Sequence, residues 1–192
     1  EIANKNKSLR SFIGMGYNNT TVPPVVMRNV LENPGWYTSY TPYQAEISQG
    51  RLESLLNYQT MVKSLTGLDI ANASLLDEGT AAAEAMILAH GSTNGKKHTF
   101  VVDENVLPQT ISVLRGRAKG FGINVVVRPL VRDGNAQLPA DVSAEDISGV
   151  LVQYPDVNGS LVDWEPLVKE VKGLGGTVVA ATDLLALTMI RS

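Results

Sequence analysis

The sequence predicts an α/β fold built on a parallel sheet, and three observations carry that expectation. From residue 70 onward, short apolar runs alternate with stretches of helical length. The apolar runs are nearly continuous, as expected of strands covered on both faces. The segments between them are long enough for βαβ crossovers, which require parallel strands with helices packed on the sheet.

Each element follows from local chemistry. Residues 25–32 predict a short helix stopped by Asn33-Pro34-Gly35. A long helix is expected over residues 46–65, where Leu52, Leu55, Tyr58, Val62 and Leu65 recur at three- and four-residue spacing. Gly67 is placed to end it. Residues 70–76 read as a short strand and 79–89 as an alanine-rich helix. Strands are expected at 98–102, 123–128, 147–153 and 177–182. A helix over 108–119 has proline in its first turn. Asp133-Gly134 marks a turn. Trp164, Leu167, Val168, Val171 and Leu174 form one helical stripe ended by Gly175-Gly176. Residues 1–45 are rich in loops and aromatics and are expected to form an arm. Residues 46–192 are expected to form part of an α/β large domain.

Composition removes several classes of function. The 192 residues are 44% hydrophobic with a formal net charge of -3, so one ordinary core is affordable and no basic excess points to nucleic acid. The longest apolar runs, such as 177–181, are too short to cross a bilayer, and no membrane partner is expected. There is no cysteine, which excludes disulfides, thiolate nucleophiles and cysteine-ligated metals. His90 and His98 lie outside any HExxH-like spacing, so no metal site is expected.

Ligands of open parallel sheets sit at the C-terminal ends of the strands. After residue 76 comes Asp77-Glu78-Gly79-Thr80, where a helix N-terminus could hold an anion. Two carboxylates at its mouth would oppose a phosphate and suit helix caps instead. Further on, Gln153-Tyr154-Pro155-Asp156-Val157-Asn158-Gly159 is followed by a strand ending at Asp183. Aspartate-aminotransferase-like enzymes use this order, with the aspartate pairing the pyridine nitrogen of pyridoxal phosphate. An aspartate at a strand end can equally cap a helix, and spacing leaves both roles open. Gly14-Met15-Gly16 resembles the start of a dinucleotide fingerprint, but no strand precedes it and Asn19 stands at the third glycine position. The hydroxyl-rich segment from Trp36 to Tyr43 suits a substrate pocket, an interface or core filling.

Three stretches taken together resemble the N-terminal half of the glycine decarboxylase family. They are Ser11-Phe12-Ile13-Gly14-Met15-Gly16-Tyr17, residues 40–60 beginning Tyr40-Thr41-Pro42-Tyr43-Gln44-Ala45-Glu46, and residues 71–85 around Asp77-Glu78-Gly79-Thr80. Ala180-Ala181-Thr182-Asp183-Leu184-Leu185 is similar as well. The resemblance implies the large domain of a fold-type I pyridoxal-phosphate enzyme, present only in part. It implies decarboxylation of glycine with transfer of the aminomethyl group to the lipoyl disulfide of H-protein. It also implies two related halves, fused or separate, in a dimeric parent, with the cofactor lysine in the C-terminal half. The lysines here, at 5, 7, 63, 96, 97, 119, 169 and 172, all precede Asp183. The chain is therefore expected to be a piece of a longer protein that lacks that lysine.

On this resemblance Tyr40, Thr41, Tyr43, Gln44 and Glu46 are expected to face the glycine or lipoyl tunnel. Glu78, Gly79, Thr80 and Asp183 are expected at vestigial cofactor positions, with pyridoxal phosphate held mainly by the other half. The expected compartment is the mitochondrial matrix in a eukaryote and the cytoplasm in a bacterium. A half that only scaffolds its catalytic partner, or a nicotinamide-binding domain, are the competing readings.

Overall fold

The structure, a computed structural model, describes residues 1–17, 19–38 and 41–192. The chain divides into two compact units, residues 1–57 and 58–192.

In the first unit, Pro24 opens helix α1 (Pro24–Leu31). Its fixed φ and missing N–H suit a first turn. Asn33-Pro34-Gly35 ends that helix as expected, but also starts α2 (Pro34–Tyr37): Asn33 Oδ1 accepts from the Gly35 amide at 2.9 Å. The long helix α3 (Gln49–Thr66), which runs across the boundary between residues 57 and 58, begins three residues later than its apolar spacing suggests, because Ala45–Ile47 forms a 3-10 turn first.

The second unit carries helix α4 (Glu78–Ser92), strand β1 (Thr99–Asp103), helix α5 (Pro108–Ala118), strand β2 (Asn124–Arg128), strands β3 (Val131–Arg132) and β4 (Asn135–Ala136), strand β5 (Ile147–Tyr154), helix α6 (Glu165–Gly173) and strand β6 (Thr177–Thr182). A four-stranded sheet has the order β2-β1-β5-β6 with every pairing parallel. Strands β3 and β4 form a separate hairpin whose turn residues Asp133 and Gly134 both have positive φ, 51° and 77°. That geometry matches the right-handed twist of paired strands.

Residues 70–76 are not a strand. Ile70 and Leu76 are 84% and 89% exposed. An apolar run becomes a strand only where a sheet edge offers hydrogen-bond partners, and here the segment runs as a connection into α4.

Alternation along the strands sorts the core into two layers. Phe100, Val102, Leu151 and Ala181 face α4 and α5, packing against Met86, Ala83 and Leu114. Val101, Ile147, Val150 and Val152 face the other way, against Leu167 and Val171 of α6 and Leu130 beside the hairpin. Ile147 and Val150 differ by three yet share a face. The register shift opposite Thr99 and Phe100 absorbs the extra residue. The close approach of α4 requires a glycine in β5: a Cβ on Gly149 would stand 2.8 Å from the Thr177 carbonyl oxygen and 3.0 Å from Ala89 Cβ.

Candidate functional site

Helix α5 covers one face of the sheet and α6 the other, so the chain reverses direction between β1 and β5. In open α/β sheets the crevice outside the strand C-termini at such a reversal is the usual ligand position. Two loops are stitched together there. Val157 N donates to the Asn105 carbonyl at 3.0 Å, and Asn158 Nδ2 donates to Asn105 Oδ1 at 3.1 Å. Buried Asp103, at the end of β1, accepts from the Leu130 amide at 3.0 Å and the Asn105 amide at 3.2 Å. Burial pushes its carboxyl above the ordinary range despite those two donors. Asp156 holds its own loop by accepting from Asn158 N and Ser160 N, each at 2.8 Å.

Beside this crevice α4 presents its N-terminus. Asp77 Oδ1 accepts from the Thr80 amide at 2.8 Å, and Asp77 N donates to Thr80 Oγ1 at 3.2 Å. This is a reciprocal capping box. The Thr80 hydroxyl also donates to Asp77 Oδ1 at 2.8 Å. Gly79 is buried under α5, where a Cβ would meet Val113 Cγ2 at 3.3 Å.

Strand parity brings three polar groups to this helix start. Leu151 and Ala181 face α4, so Gln153, two residues on in β5, faces it too, and Asp183 follows the last residue of β6. Gln153 and Asp183 are both near enough to Glu78 to act on its carboxyl. Partial burial raises the Glu78 carboxyl above its ordinary range; the neighbouring Gln153 amide opposes this and the Asp183 charge adds to it. Asp183 Oδ1 also accepts from the Leu185 amide at 3.0 Å, and Asp183 N donates to the Tyr154 carbonyl at 3.1 Å.

Glu78, Gly79, Thr80 and Asp183 thus lie at one sheet edge. They do not fit the phosphate of pyridoxal phosphate. The amide and hydroxyl of Thr80 are already taken by Asp77, and two further carboxylates stand beside them. Among the described residues no ion pair neutralises Glu78 or Asp183. Lys97 instead donates to the Leu174 carbonyl at 2.6 Å, and Lys169 pairs with Glu165 at 2.7 Å.

The arm residues sit in the first unit. Tyr40 lies outside the described residues. Thr41, Gln44 and Glu46 are exposed, and Tyr43 is 88% exposed. None of these four lines the open cavity of about 610 Å³ nearby, which is walled by Trp36, Pro42, Ile47, Ser48, Arg51 and Leu55 among others. Arg51 donates to the Thr38 carbonyl. Ser48, Arg51 and Gln153 were not legible as site residues. Gln153 did carry a signal, as the one polar side chain in the run 150–153 with the same parity from Leu151 as Asp183 has from Ala181.

A family model described as glycine cleavage system P-protein matches residues 1–192. Glycine dehydrogenase (decarboxylating) A, mitochondrial, of Flaveria pringlei is 56% identical over 191 residues, covering 100% of this chain and 18% of that protein. Glycine dehydrogenase (decarboxylating) 1, mitochondrial, of Arabidopsis thaliana is also 56% identical, with the same coverage. A putative mitochondrial counterpart of Schizosaccharomyces pombe is 54% identical, again with 18% of its length matched. A crystal structure of glycine decarboxylase (P-protein) of the glycine cleavage system, in inhibitor-bound form, superposes with a TM-score of 0.87 at 36% identity, covering 99% of this chain and 42% of that chain. The chain spans less than a fifth of the length of these curated relatives.

Proposed function

The chain belongs to the glycine cleavage system P-protein family, and we propose that it forms part of the N-terminal half of a glycine decarboxylase, the half without the cofactor lysine. Its fold is the parallel-sheet, fold-type I architecture, of which it carries four strands. The proposed activity of the whole enzyme is decarboxylation of glycine with transfer of the aminomethyl group to the lipoyl group of H-protein. Bound pyridoxal phosphate supplies the electron sink for that chemistry. In this reading a C-terminal half or second subunit holds the cofactor, and the parent is a dimer. This chain contributes walls: the arm, residues 1–45, with Tyr40, Thr41, Tyr43 and Gln44, and the adjoining Glu46, facing the glycine and lipoyl side. The compartment proposed is the mitochondrial matrix, since the relatives are mitochondrial enzymes.

One observation carries this reading. The helix start that would cradle a phosphate is closed by Asp77 on the Thr80 amide. The test is to add pyridoxal phosphate to this chain, then borohydride. No visible band of a lysine-bound cofactor and no trapped lysine adduct are expected. An adduct on any of the eight lysines would overturn it. Restoration of glycine decarboxylation when the C-terminal half is added to an N-terminal half containing this segment would support the division of labour.

A scaffolding role is favoured by a separate feature. Leu75 and Leu76 before α4, and Leu184, Leu185 and Met189 after β6, are exposed at 44%, 89%, 39%, 71% and 89%. Apolar groups clustered around one sheet edge suit an interface with another half.

A further inference from the structure

We propose that the cavity at the start of α3 is a binding site for an organic carboxylate, a small anion with an apolar or aromatic body. The inference goes beyond the activity above and stands without it. Thr41, Tyr43, Gln44 and Glu46, placed above on the glycine and lipoyl side, do not line this cavity. All of its wall residues belong to the first unit. Its volume of about 610 Å³ falls in the range of roughly 300–1,000 Å³ usual for small-molecule sites.

Ser48 supplies the observation that points to a ligand. It stands directly before α3, and its carbonyl accepts from the Leu52 amide at 2.9 Å. A serine in that position ordinarily turns its hydroxyl onto the amides of the first helical turn. Ser48 does not. It is 2% exposed, its Oγ has no hydrogen-bond partner among the described residues, and it forms part of the cavity wall. A buried hydroxyl without a partner is destabilising, and an acceptor oxygen brought by a ligand removes that penalty. Arg51 and Leu55 follow at helical spacing and join the same wall. Half-buried Arg51 donates to the Thr38 carbonyl, which leaves further N–H groups of its guanidinium to donate. Among the described residues no carboxylate pairs with it.

The charges agree in sign. A helix N-terminus carries about half a positive charge, which favours an anion at the start of α3. Gly50 forms the wall there, and a Cβ at that position would meet nothing within 4 Å, so an approaching ligand is unobstructed. Among the described residues no acidic side chain lines the cavity, and Glu46 and Glu53 on the adjoining turns are exposed to solvent. Asn33 also lines it, and its Oδ1 is already taken by the Gly35 amide, so its side chain has only N–H left to offer. The donors therefore exceed the acceptors. A planar carboxylate matches the guanidinium fork, and its single charge matches a single cation better than a phosphate does. Trp36, Pro42, Ile47 and Leu55 supply the apolar remainder of the wall. Glycine is a poor match, since it has no apolar body and would bring an ammonium group beside Arg51.

The experiment is an NMR titration of the 192-residue chain with phenylacetate and hexanoate, against their uncharged isosteres phenylacetamide and hexanamide. The chain has two tryptophans. The indole N–H of Trp36 reports on the cavity, and that of Trp164, in the second unit, is the internal control. A saturable shift of the Trp36 signal with at least one carboxylate is expected, with the Trp164 signal unmoved. The amides should bind about tenfold more weakly or not at all, which tests the charge on the parent chain without any substitution. Arg51→Gln, checked for an otherwise unchanged spectrum, should lose about tenfold in affinity. The proposal is overturned if neither carboxylate saturates, if the amides bind as tightly as the acids, or if folded Arg51→Gln binds as well as the parent. It is equally overturned if glycine, acetate or inorganic phosphate moves the Trp36 signal with the affinity of the larger acids.

Discussion

Asp77 and Thr80 hold each other at the start of α4: the carboxylate accepts the Thr80 amide and hydroxyl, both at 2.8 Å, and the Asp77 amide turns back to the hydroxyl. These bonds hold the Asp77 carboxyl below its ordinary range, the backbone bond contributing most. The same atoms that stabilise the helix take its Thr80 amide and hydroxyl out of reach of a phosphate. A sequence that looks like a cofactor loop is in effect a self-satisfied helix cap.

Glu78 is expected to be a net burden at neutral pH. Its carboxyl is raised above the ordinary 4.5, chiefly by partial burial. The folded state therefore holds the proton more tightly than the unfolded chain does. Any contribution is intact below about pH 4.5 and is lost as pH rises through the folded value. Glu78→Gln should accordingly melt higher than the parent at pH 7, with the two curves converging at pH 4. A lower melting temperature for the variant at pH 7 would refute this.

Asp146 behaves in the opposite sense. It anchors the start of β1, accepting from His98 N at 2.9 Å and from the Thr99 hydroxyl at 2.5 Å. These bonds, the first of them foremost, hold its carboxyl below the ordinary 3.8. Its stabilisation is present above pH 3.8 and fades as pH falls through the folded value. Asp146→Ala should cost about 1–2 kcal/mol in urea unfolding at pH 7, the two lost hydrogen bonds being discounted for partial solvent access. Asp146→Asn should flatten the decline in stability on acidification.

Gly149→Ala should be among the costlier single-methyl additions in this chain. The new Cβ would press a backbone carbonyl at 2.8 Å, Phe100 Cε2 at 2.9 Å and Ala89 Cβ at 3.0 Å. Backbone cannot rotate away, so α4 or the β5–β6 pairing must shift. A loss of about 1–3 kcal/mol is expected for overpacking of this kind. An unchanged denaturation midpoint would mean α4 does not pack as closely as described.

Ser48 offers a test in the first unit. It is 2% exposed, and its Oγ is buried without a partner. Ser48→Ala removes an unsatisfied hydroxyl, so stability should hold or rise by roughly 0.5–1 kcal/mol. A clear loss of stability would reveal a hydrogen-bond partner at the cavity wall.

The second unit was largely legible because its signals are local. β1 and β5 carry the apolar runs 100–102 and 150–152 and are buried along nearly all their length. Pro108 opens α5, and Asp133-Gly134 turns the chain. The charge conflict at Asp77-Glu78 was visible without coordinates, because two carboxylates at a helix start repel a phosphate wherever the helix lies.

What tertiary structure alone decided was partnership. Residues 70–76 have the composition of a strand, yet an apolar run cannot pair where no sheet edge receives it. The hairpin at residues 131–136 has strands of two residues each, too short for any periodicity to announce. Glu78, Gln153 and Asp183 are separated by 75 and 30 positions in the chain. They meet only because β5 and β6 pair in parallel register and α4 crosses the face their odd-numbered residues share. The sequence by itself determined which residues could form strands, caps and turns; the packing of distant segments decided which polar groups share a corner, since that depends on register and helix placement rather than on neighbours in the chain.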